Sequence, residues 1–239
     1  DFAFARKYAL SLRVSIAPYF SAEGGKDAPR RDKPTIRRQT AYALVKHWNE
    51  DKYLCLDWEK FGWHSGIIGG VEDGEDPVDA ARREIIEETG YKHPVFERVL
   101  GSVVHNCFFA AHKDVNRYAY GQGMLFRLAD DAWEKPSEQE TQHHKTAWIQ
   151  GSEMEKFLNL QQFRYMWDVL KNGKECFNDD GILVDSGKFT GLLSVDARRE
   201  ITAWLEKDGL AKKTVKYKLR DWVFSRQRYW GEPIPMVYC

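Results

Sequence analysis

The sequence has no long hydrophobic run, no excess of charge and few cysteines, and each absence excludes a class of protein. Its longest apolar runs fall far short of the roughly 20 residues that a membrane helix needs. Lys plus Arg and Asp plus Glu both number 36, so the formal net charge is zero and no overall field attracts nucleic acid or an anionic membrane. The four cysteines form no C-x-x-C pair, which argues against a zinc site or a disulfide framework. We therefore expect a cytoplasmic protein with no membrane partner.

The composition is that of a globular protein, with 43% hydrophobic and 14% aromatic residues among 239. The start of the chain has neither an initiator Met nor a signal-peptide pattern, so we expect a piece of a longer chain. Strand-like runs far outnumber crossover helices, which predicts an α+β fold with a mixed sheet. The predicted strands cover residues 40–47, 53–58, 97–110 and 121–128, and the predicted helices cover residues 77–89 and 152–171.

The segments at the two ends differ in character from the middle of the chain. Residues 1–17 predict a helix end followed by an alternating strand, Leu10–Leu12–Val14–Ile16. The Gly-rich, Pro-rich and basic stretch 24–34 is typical of an exposed connection. Residues 181–191 predict a strand and turn, 195–207 an amphipathic helix, and 215–229 an extended segment. These changes predict three parts: residues 1–34, 35–173 and 174–239.

One loop and helix, residues 69–91, carry a dense pattern of carboxylates. Asp76 is a good N-cap before Pro77, and Gly90 is a natural C-terminal stop. Three glutamates with i, i+3 and i+4 spacing share one face of this helix; they are Glu84, Glu87 and Glu88. Clustered carboxylates repel one another unless a cation neutralises them, and hard oxygen ligands suit Mg²⁺ or Mn²⁺. Arg83 is spaced to pair with Glu75 and hold the loop against the helix.

The same window resembles the Nudix signature, G-x5-E-x7-R-E-U-x-E-E-x-G-U, at every fixed position. The matching residues are Gly69, Glu75, Arg83, Glu84, Ile85, Glu87, Glu88, Gly90 and Tyr91. One departure is Ile68, where many relatives have proline. The resemblance implies a Nudix-type mixed sheet sandwiched by helices. It also implies that Glu84, Glu87 and Glu88 bind Mg or Mn, helped by a backbone carbonyl near Gly69 or Gly70, and that water attacks a diphosphate of a nucleoside diphosphate derivative.

Substrate contacts would come from outside the signature. Trp63, Phe108 and Tyr118 are candidates to stack on a base, as are Phe109 and Tyr120, although each is also an ordinary core aromatic. Glu140, with Glu138, is a candidate base on a later loop, although a solvated turn explains it equally well. We therefore predict Glu84, Glu87, Glu88 and Arg83 as the catalytic set, with Trp63, Phe108, Tyr118 and Glu140 as substrate contacts.

The flanking segments resemble pieces of leucyl-tRNA synthetases around their editing region. The long run 217–235, Tyr-Lys-Leu-Arg-Asp-Trp-Val-Phe-Ser-Arg-Gln-Arg-Tyr-Trp-Gly-Glu-Pro-Ile-Pro, is similar to the point where that family returns to its catalytic domain. Residues 184–192 and 1–8 are similar to earlier segments in the family's order. The resemblance implies a Nudix domain inserted within the editing region, and a parent protein that is a leucine–tRNA ligase and binds tRNA. Because the HIGH and KMSKS signatures are absent, we expect this stretch neither to aminoacylate nor to edit.

Two functions of different classes fit these patterns. The complete carboxylate set favours a hydrolase. The basic residues Arg30, Arg31, Lys33, Arg37 and Arg38 suggest instead a catalytically silent module that binds tRNA or nucleotide, although a solvated linker explains them as well. A passive structural insertion is a third possibility.

Overall fold

The computed structural model describes residues 2–22, 24–137 and 144–214. The described residues up to 197 form one compact unit, and the described residues 198–214 belong to a second. No helix within the described ranges is long and apolar enough to cross a membrane.

An eight-stranded mixed sheet organises the described part of the first unit. Strands β2, β7, β8, β3, β4 and β5 follow one another across it, with β6 beside β3 and β9 beside β4. The pairs β2/β7 and β3/β8 are parallel and the others antiparallel. In chain order the strands are β1 (Ile16–Ala17), β2 (Tyr19–Ser21), β3 (Thr35–Lys46), β4 (Lys52–Trp58), β5 (Trp63–Ser65), β6 (Ile67–Gly70), β7 (Pro94–Ala110), β8 (Val115–Leu128), β9 (Lys145–Gln150) and β10 (Ile182–Leu183).

Helices cover both faces of this sheet. Successive side chains of a strand point to opposite sides, so each face has its own core. Along β3, Ala43 and Val45 enter one core with Ile85, while Tyr42 and Leu44 enter the other. The helices are α1 (Phe2–Lys7), α2 (Pro77–Thr89), α3 (Met154–Phe157), α4 (Gln161–Asn172) and α5 (Ser194–Lys207). Helix α2 supplies the first core, and α3 and α4 supply the second. The predicted α+β fold, a mixed sheet between helices, is confirmed.

Helix α2 has the predicted bounds, and the four predicted strands are present and longer than predicted, although β3 ends one residue before its predicted limit. The predicted strand from Leu10 to Ile16 is wrong, since only Ile16 and Ala17 pair, and Leu10, Leu12 and Val14 are exposed. Alternation alone does not make a strand when no partner strand lies alongside. The predicted extended segment at residues 215–229 lies outside the described residues.

The single helix predicted over residues 152–171 is interrupted between α3 and α4. Leu158 and Leu160 adopt extended backbone angles there. Between them, the amide of Asn159 accepts a hydrogen bond from the backbone N–H of His64 at 2.9 Å. It also donates to the carbonyl of Gly62 at 2.8 Å. These bonds to the β4–β5 turn fix the break, and no signal within residues 152–171 reveals them.

The two segments that flank the large sheet meet each other. Ala17 of β1 pairs with Ile182 of β10 in an antiparallel register, and the backbone N–H of Val184 donates to the carbonyl of Ser15 at 3.0 Å. The 3₁₀ turn Gly187–Phe189 follows. About 160 residues separate the paired strands, so the chain leaves and returns at one place.

We expect Phe163→Ala to destabilise the protein by about 3–5 kcal/mol, because its ring is fully buried and its loss leaves a cavity. The ring meets Tyr42 edge-on, with 5.9 Å between centroids, and so fixes α4 to the sheet. Urea denaturation followed by circular dichroism measures the change. Val95→Ala, at an exposed strand position, is the control. Equal effects of the two substitutions would contradict this packing.

Candidate active site

Helix α2 is delimited by residues at its two ends. The carboxylate of Asp76 accepts a hydrogen bond from the backbone N–H of Val78 at 2.8 Å, and Pro77 occupies the first turn. At the other end Gly90 has a φ of 81° and its N–H reaches the carbonyl of Ile86 at 2.9 Å. A left-handed C-terminal residue of this kind favours glycine. These local signals hold the carboxylates of the helix in place.

The guanidinium of Arg83 joins the loop to the helix, as the sequence predicted. Its Nε and Nη2 each donate to the carboxylate of Glu75 at 3.0 Å. Its Nη1 lies 2.8 Å from Glu84 and 3.3 Å from Glu87. Nη2 also donates to the carbonyl of Gly70 at 3.0 Å. One planar cation therefore contacts three carboxylates and the loop backbone, a geometry that suits arginine and not lysine.

The carboxylates around this cation differ in their electrostatics. Hydrogen bonds from the Arg83 guanidinium, and then from the backbone N–H of Glu72, hold the pKa of Glu75 below its usual value. The pKa of Glu84 is raised, because burial outweighs the opposing attraction of Arg83. The hydrogen bond with Glu75 raises the pKa of Arg83 itself. Glu84 is thus a partly desolvated carboxylate, the kind that an additional cation would stabilise in its charged form.

Gly69 lies directly against the side chain of Glu84. A Cβ atom on Gly69 would lie 1.9 Å from Cγ of Glu84 and 2.8 Å from its Oε1, so only glycine permits this approach. The carboxylate and the loop backbone at Gly69 and Gly70 together offer hard oxygen donors, and the half-exposed carboxylate of Glu87 adds another. This donor set fits Mg²⁺ or Mn²⁺.

The expected convergence of all three glutamates is only partial. Glu84 and Glu87 meet at Arg83, whereas Glu88 is buried on the face of α2 that turns toward the sheet. Within residues 2–22, 24–137 and 144–214, no three carboxylate, imidazole or thiol side chains are grouped closely enough to hold a metal ion. Glu88 is separated from the other two because its position on α2 falls on the buried side of the helix, with Ala81 and Ile85.

A cavity of about 670 Å³ opens beside this cluster. Gly69 and Gly70 form part of its wall, together with two of the predicted stacking residues, Trp63 and Phe108. Arg38 also lines it, and a Cβ atom on Gly70 would lie 1.7 Å from the Nη2 atom of that arginine. The loop glycines thus separate two groups, with Arg38 on the cavity side of Gly70 and Glu84 against Gly69.

The NUDIX domain family model matches residues 36–168 of this chain, which is more than half of its length. The chain belongs to the NUDIX domain family. The match contains the loop, helix α2 and most of the cavity, so the resemblance found in the signature extends through the sheet.

Part of the chain is similar to leucine–tRNA ligases. It is 60% identical over 65 residues to the enzyme of Geotalea uraniireducens, covering 27% of this chain and 8% of that protein. With the enzyme of Treponema pallidum it shares 59% identity over 66 residues, covering 28% and 8%. The predicted resemblance to this synthetase family beside a Nudix domain is confirmed. The chain spans less than a tenth of these relatives.

Solved structures with a similar arrangement include a NUDIX hydrolase from Nitrosomonas europaea. It is 20% identical, covers 58% of this chain and 91% of its own, and has a TM-score of 0.42. The dihydroneopterin triphosphate pyrophosphohydrolase of E. coli is 15% identical, covers 59% and 99%, and has a TM-score of 0.45.

Tyr118 does not line the cavity of the Nudix domain with Trp63 and Phe108. Alternation along β8 turns its side chain to the opposite face, where its hydroxyl lies 2.9 Å from Nδ1 of His105. The guanidinium of Arg37 lies 4.7 Å from the centre of its ring. Contrary to the prediction, Tyr118 therefore does not share the cavity with Trp63 and Phe108. The other predicted substrate contact, Glu140, lies outside the described residues.

Several cavity residues of the Nudix domain were not singled out as substrate contacts from the sequence. Arg38 belongs to a basic stretch of the sequence, and Asn159, Lys113 and Arg117 belong to no motif. Each comes from a different element, so no spacing along the chain connects them. Strand alternation could have placed Arg38 on one face with Tyr42, but the partner strands are needed to show that this face borders Gly70.

We expect Arg83→Lys to lower the free energy of unfolding by about 1–3 kcal/mol, because an ammonium cannot replace the paired bonds to Glu75. The neighbouring Arg82 provides a matched control, since among the described residues it pairs with the exposed carboxylate of Asp79 alone. We expect Arg82→Lys to change the same quantity by less than about 0.5 kcal/mol. Urea denaturation measures both variants, and an equal loss would show that Arg83 does not anchor the loop.

Proposed function

We propose that this Nudix domain hydrolyses a diphosphate link in a nucleoside diphosphate derivative, with Mg²⁺ or Mn²⁺ as cofactor. The observation that supports this most directly is the position of the Arg83 carboxylate cluster. It borders a cavity large enough for a nucleotide, and Gly69 and Gly70 belong to both. A phosphate bound at the wall formed by Gly69 and Gly70 would therefore be separated from the carboxylates by that loop backbone alone.

In this proposal the residues of the site have distinct roles. Glu84 and Glu87 would hold the divalent ion together with the backbone near Gly69, and Glu88 stays a predicted third ligand. When bound, the metal supplies positive charge to the phosphoryl oxygens and activates water for attack. Arg83 is a positioning residue in this scheme, because it holds the loop and the outer carboxylates at fixed places.

Arg38 would bind a substrate phosphate. Its guanidinium lies against Gly70 in the cavity wall, and in the described part of the chain it forms no ion pair with a protein carboxylate. A cation in that situation attracts an anionic ligand. The half-exposed Glu87 is also available to accept the proton of the attacking water.

We expect Glu84→Gln and Glu87→Gln each to reduce the rate of hydrolysis at least about 100-fold, since a charged ligand or base is lost. The assay measures nucleotide or phosphate release with Mg²⁺ on ADP-ribose, dinucleoside polyphosphates, NADH and oxidised nucleotides. Glu155→Gln is the control, because that exposed carboxylate of α3 pairs, in the described ranges, with Lys171 of α4 and no other cation. No turnover of any of these compounds by the wild type would contradict the proposal.

Metal binding has a second readout in stability. We expect Mg²⁺ to stabilise the wild-type chain, by about 2.7 kcal/mol at one hundred times its Kd. Glu84→Gln should lose most of this gain, whereas Glu155→Gln should keep it. Thermal unfolding with Mg²⁺ and with a chelator measures the difference. An equal Mg²⁺ effect on Glu84→Gln and the wild type would remove Glu84 from the set of ligands.

The alternative is a silent module that binds tRNA or nucleotide. It rests on the basic linker, but part of that charge is used within the protein. The guanidinium of Arg30 lies 3.7 Å from the centre of the Phe109 ring, and Lys33 forms an ion pair with Asp114. These contacts tie the linker to β7 and to the turn before β8. A structural role therefore suffices to explain the basic residues of the linker, and the hydrolase is the better supported function.

For the whole protein we propose a leucine–tRNA ligase that carries this domain within its editing region and binds tRNA through its other parts. The limits 1–34, 35–173 and 174–239 remain our proposed division. The antiparallel pairing of β1 with β10 supports it, since it brings together the segments on either side of the proposed insertion. A cytoplasmic location follows from the same proposal.

A further inference from the structure

Strand β2 lies before the residues that match the NUDIX domain and still forms an edge of its sheet. It pairs in parallel with β7, so that Tyr19, Phe20 and Ser21 are opposite His105, Asn106 and Cys107. Because strand side chains alternate, Phe20 faces the same side as Asn106 and Phe108. That side is the cavity, and Phe20 is one of its lining residues.

The ring of Phe20 is available to a ligand. It is half-buried in the cavity wall, and neither it nor Phe108 forms a ring contact with another aromatic side chain in the described ranges. Trp63, also in the wall, is already stacked on Phe61 with 4.9 Å between centroids. The two phenylalanines therefore present apolar surface to the cavity on adjacent strands.

The charges of the cavity indicate what kind of ligand would use that surface. Arg38, Lys113 and Arg117 line it, and within the described ranges no Asp or Glu forms an ion pair with any of these three side chains. Asp27 is the carboxylate among the lining residues. An excess of positive charge beside half-buried aromatic rings suits a molecule with both phosphate and a planar group. A nucleotide has both features.

We propose that Phe20, which lies outside the Nudix match, stacks on the base of the bound nucleotide and so helps to set the specificity of the site. This inference rests on the proposed function for the position of the phosphates, which it places at Gly70 and Arg38. The base then lies toward β7 and β2. A segment that belongs to the flanking part of the chain would thus complete the substrate site of the inserted domain.

The test compares binding of ligands with and without a base to the full 239-residue chain. Mononucleotides of the four common bases are the first probe and inorganic pyrophosphate is the second, with affinity read by calorimetry. We expect Phe20→Ala to weaken the best-bound mononucleotide by about 5- to 150-fold, the range for loss of one base–aromatic stack. Its affinity for pyrophosphate should not change.

Two further variants separate stacking from packing. Phe20→Trp should keep mononucleotide affinity within a few-fold, since an aromatic ring remains. Phe4→Ala removes an exposed aromatic side chain from α1, outside the cavity lining, and should have no effect on either probe. Equal weakening of both probes in Phe20→Ala would show that Phe20 only shapes the cavity, and would overturn the proposal.

The remaining outcomes distinguish this inference from the proposed function. Unchanged mononucleotide binding by Phe20→Ala would overturn the inference, and hydrolysis that still depends on Glu84 would leave the proposed function standing. Failure of the wild type to bind any mononucleotide would also overturn it. Conversely, Phe20-dependent binding in a chain without turnover would support the inference and reject the hydrolase.

Discussion

The site depends on one ionic contact network, centred on the guanidinium of Arg83. Glu75, Glu84 and Glu87 would repel one another at these distances, and burial already disfavours the charged form of Glu84. A single planar cation bonded to all three, and to the carbonyl of Gly70, offsets the repulsion and part of the cost of burying Glu84. The protein thereby holds carboxylates close together by its own charge. A divalent ion would bind to carboxylates that Arg83 already holds close together.

The cavity follows from a second constraint, the alternation of side chains along strands that share one sheet. Ala43 and Val45 face α2, whereas Tyr42 and Leu44 face α4. The same rule separates Arg37, over the Tyr118 ring, from its neighbour Arg38 in the cavity. Both faces are covered, so a one-residue shift in register would exchange core and cavity residues. Parallel pairing of β3 with β8 over twelve residues prevents such a shift.

Local signals made α2 and its network predictable, and nonlocal contacts made the rest unpredictable. Asp76, Gly90 and the Arg83–Glu75 pair act over at most eight residues, so their spacing in the sequence carries the information. Arg38 and Asn159 reach the cavity only through strand pairing and a turn far along the chain. The strand predicted from the alternation between Leu10 and Val14 is absent for the same reason, because a strand needs a partner strand that the pattern does not reveal.

The join between the flanking segment and the Nudix sheet is a single residue. Ala17 belongs to β1, which pairs with β10, and Tyr19 belongs to β2, which pairs with β7. Between them lies Pro18, whose carbonyl accepts a hydrogen bond from the N–H of His105 at 2.9 Å. The pyrrolidine ring of Pro18 also fixes its backbone angle φ. Such a junction has little freedom to rotate. Any change in the β1–β10 pairing would therefore act on β2 directly, and β2 forms one wall of the cavity.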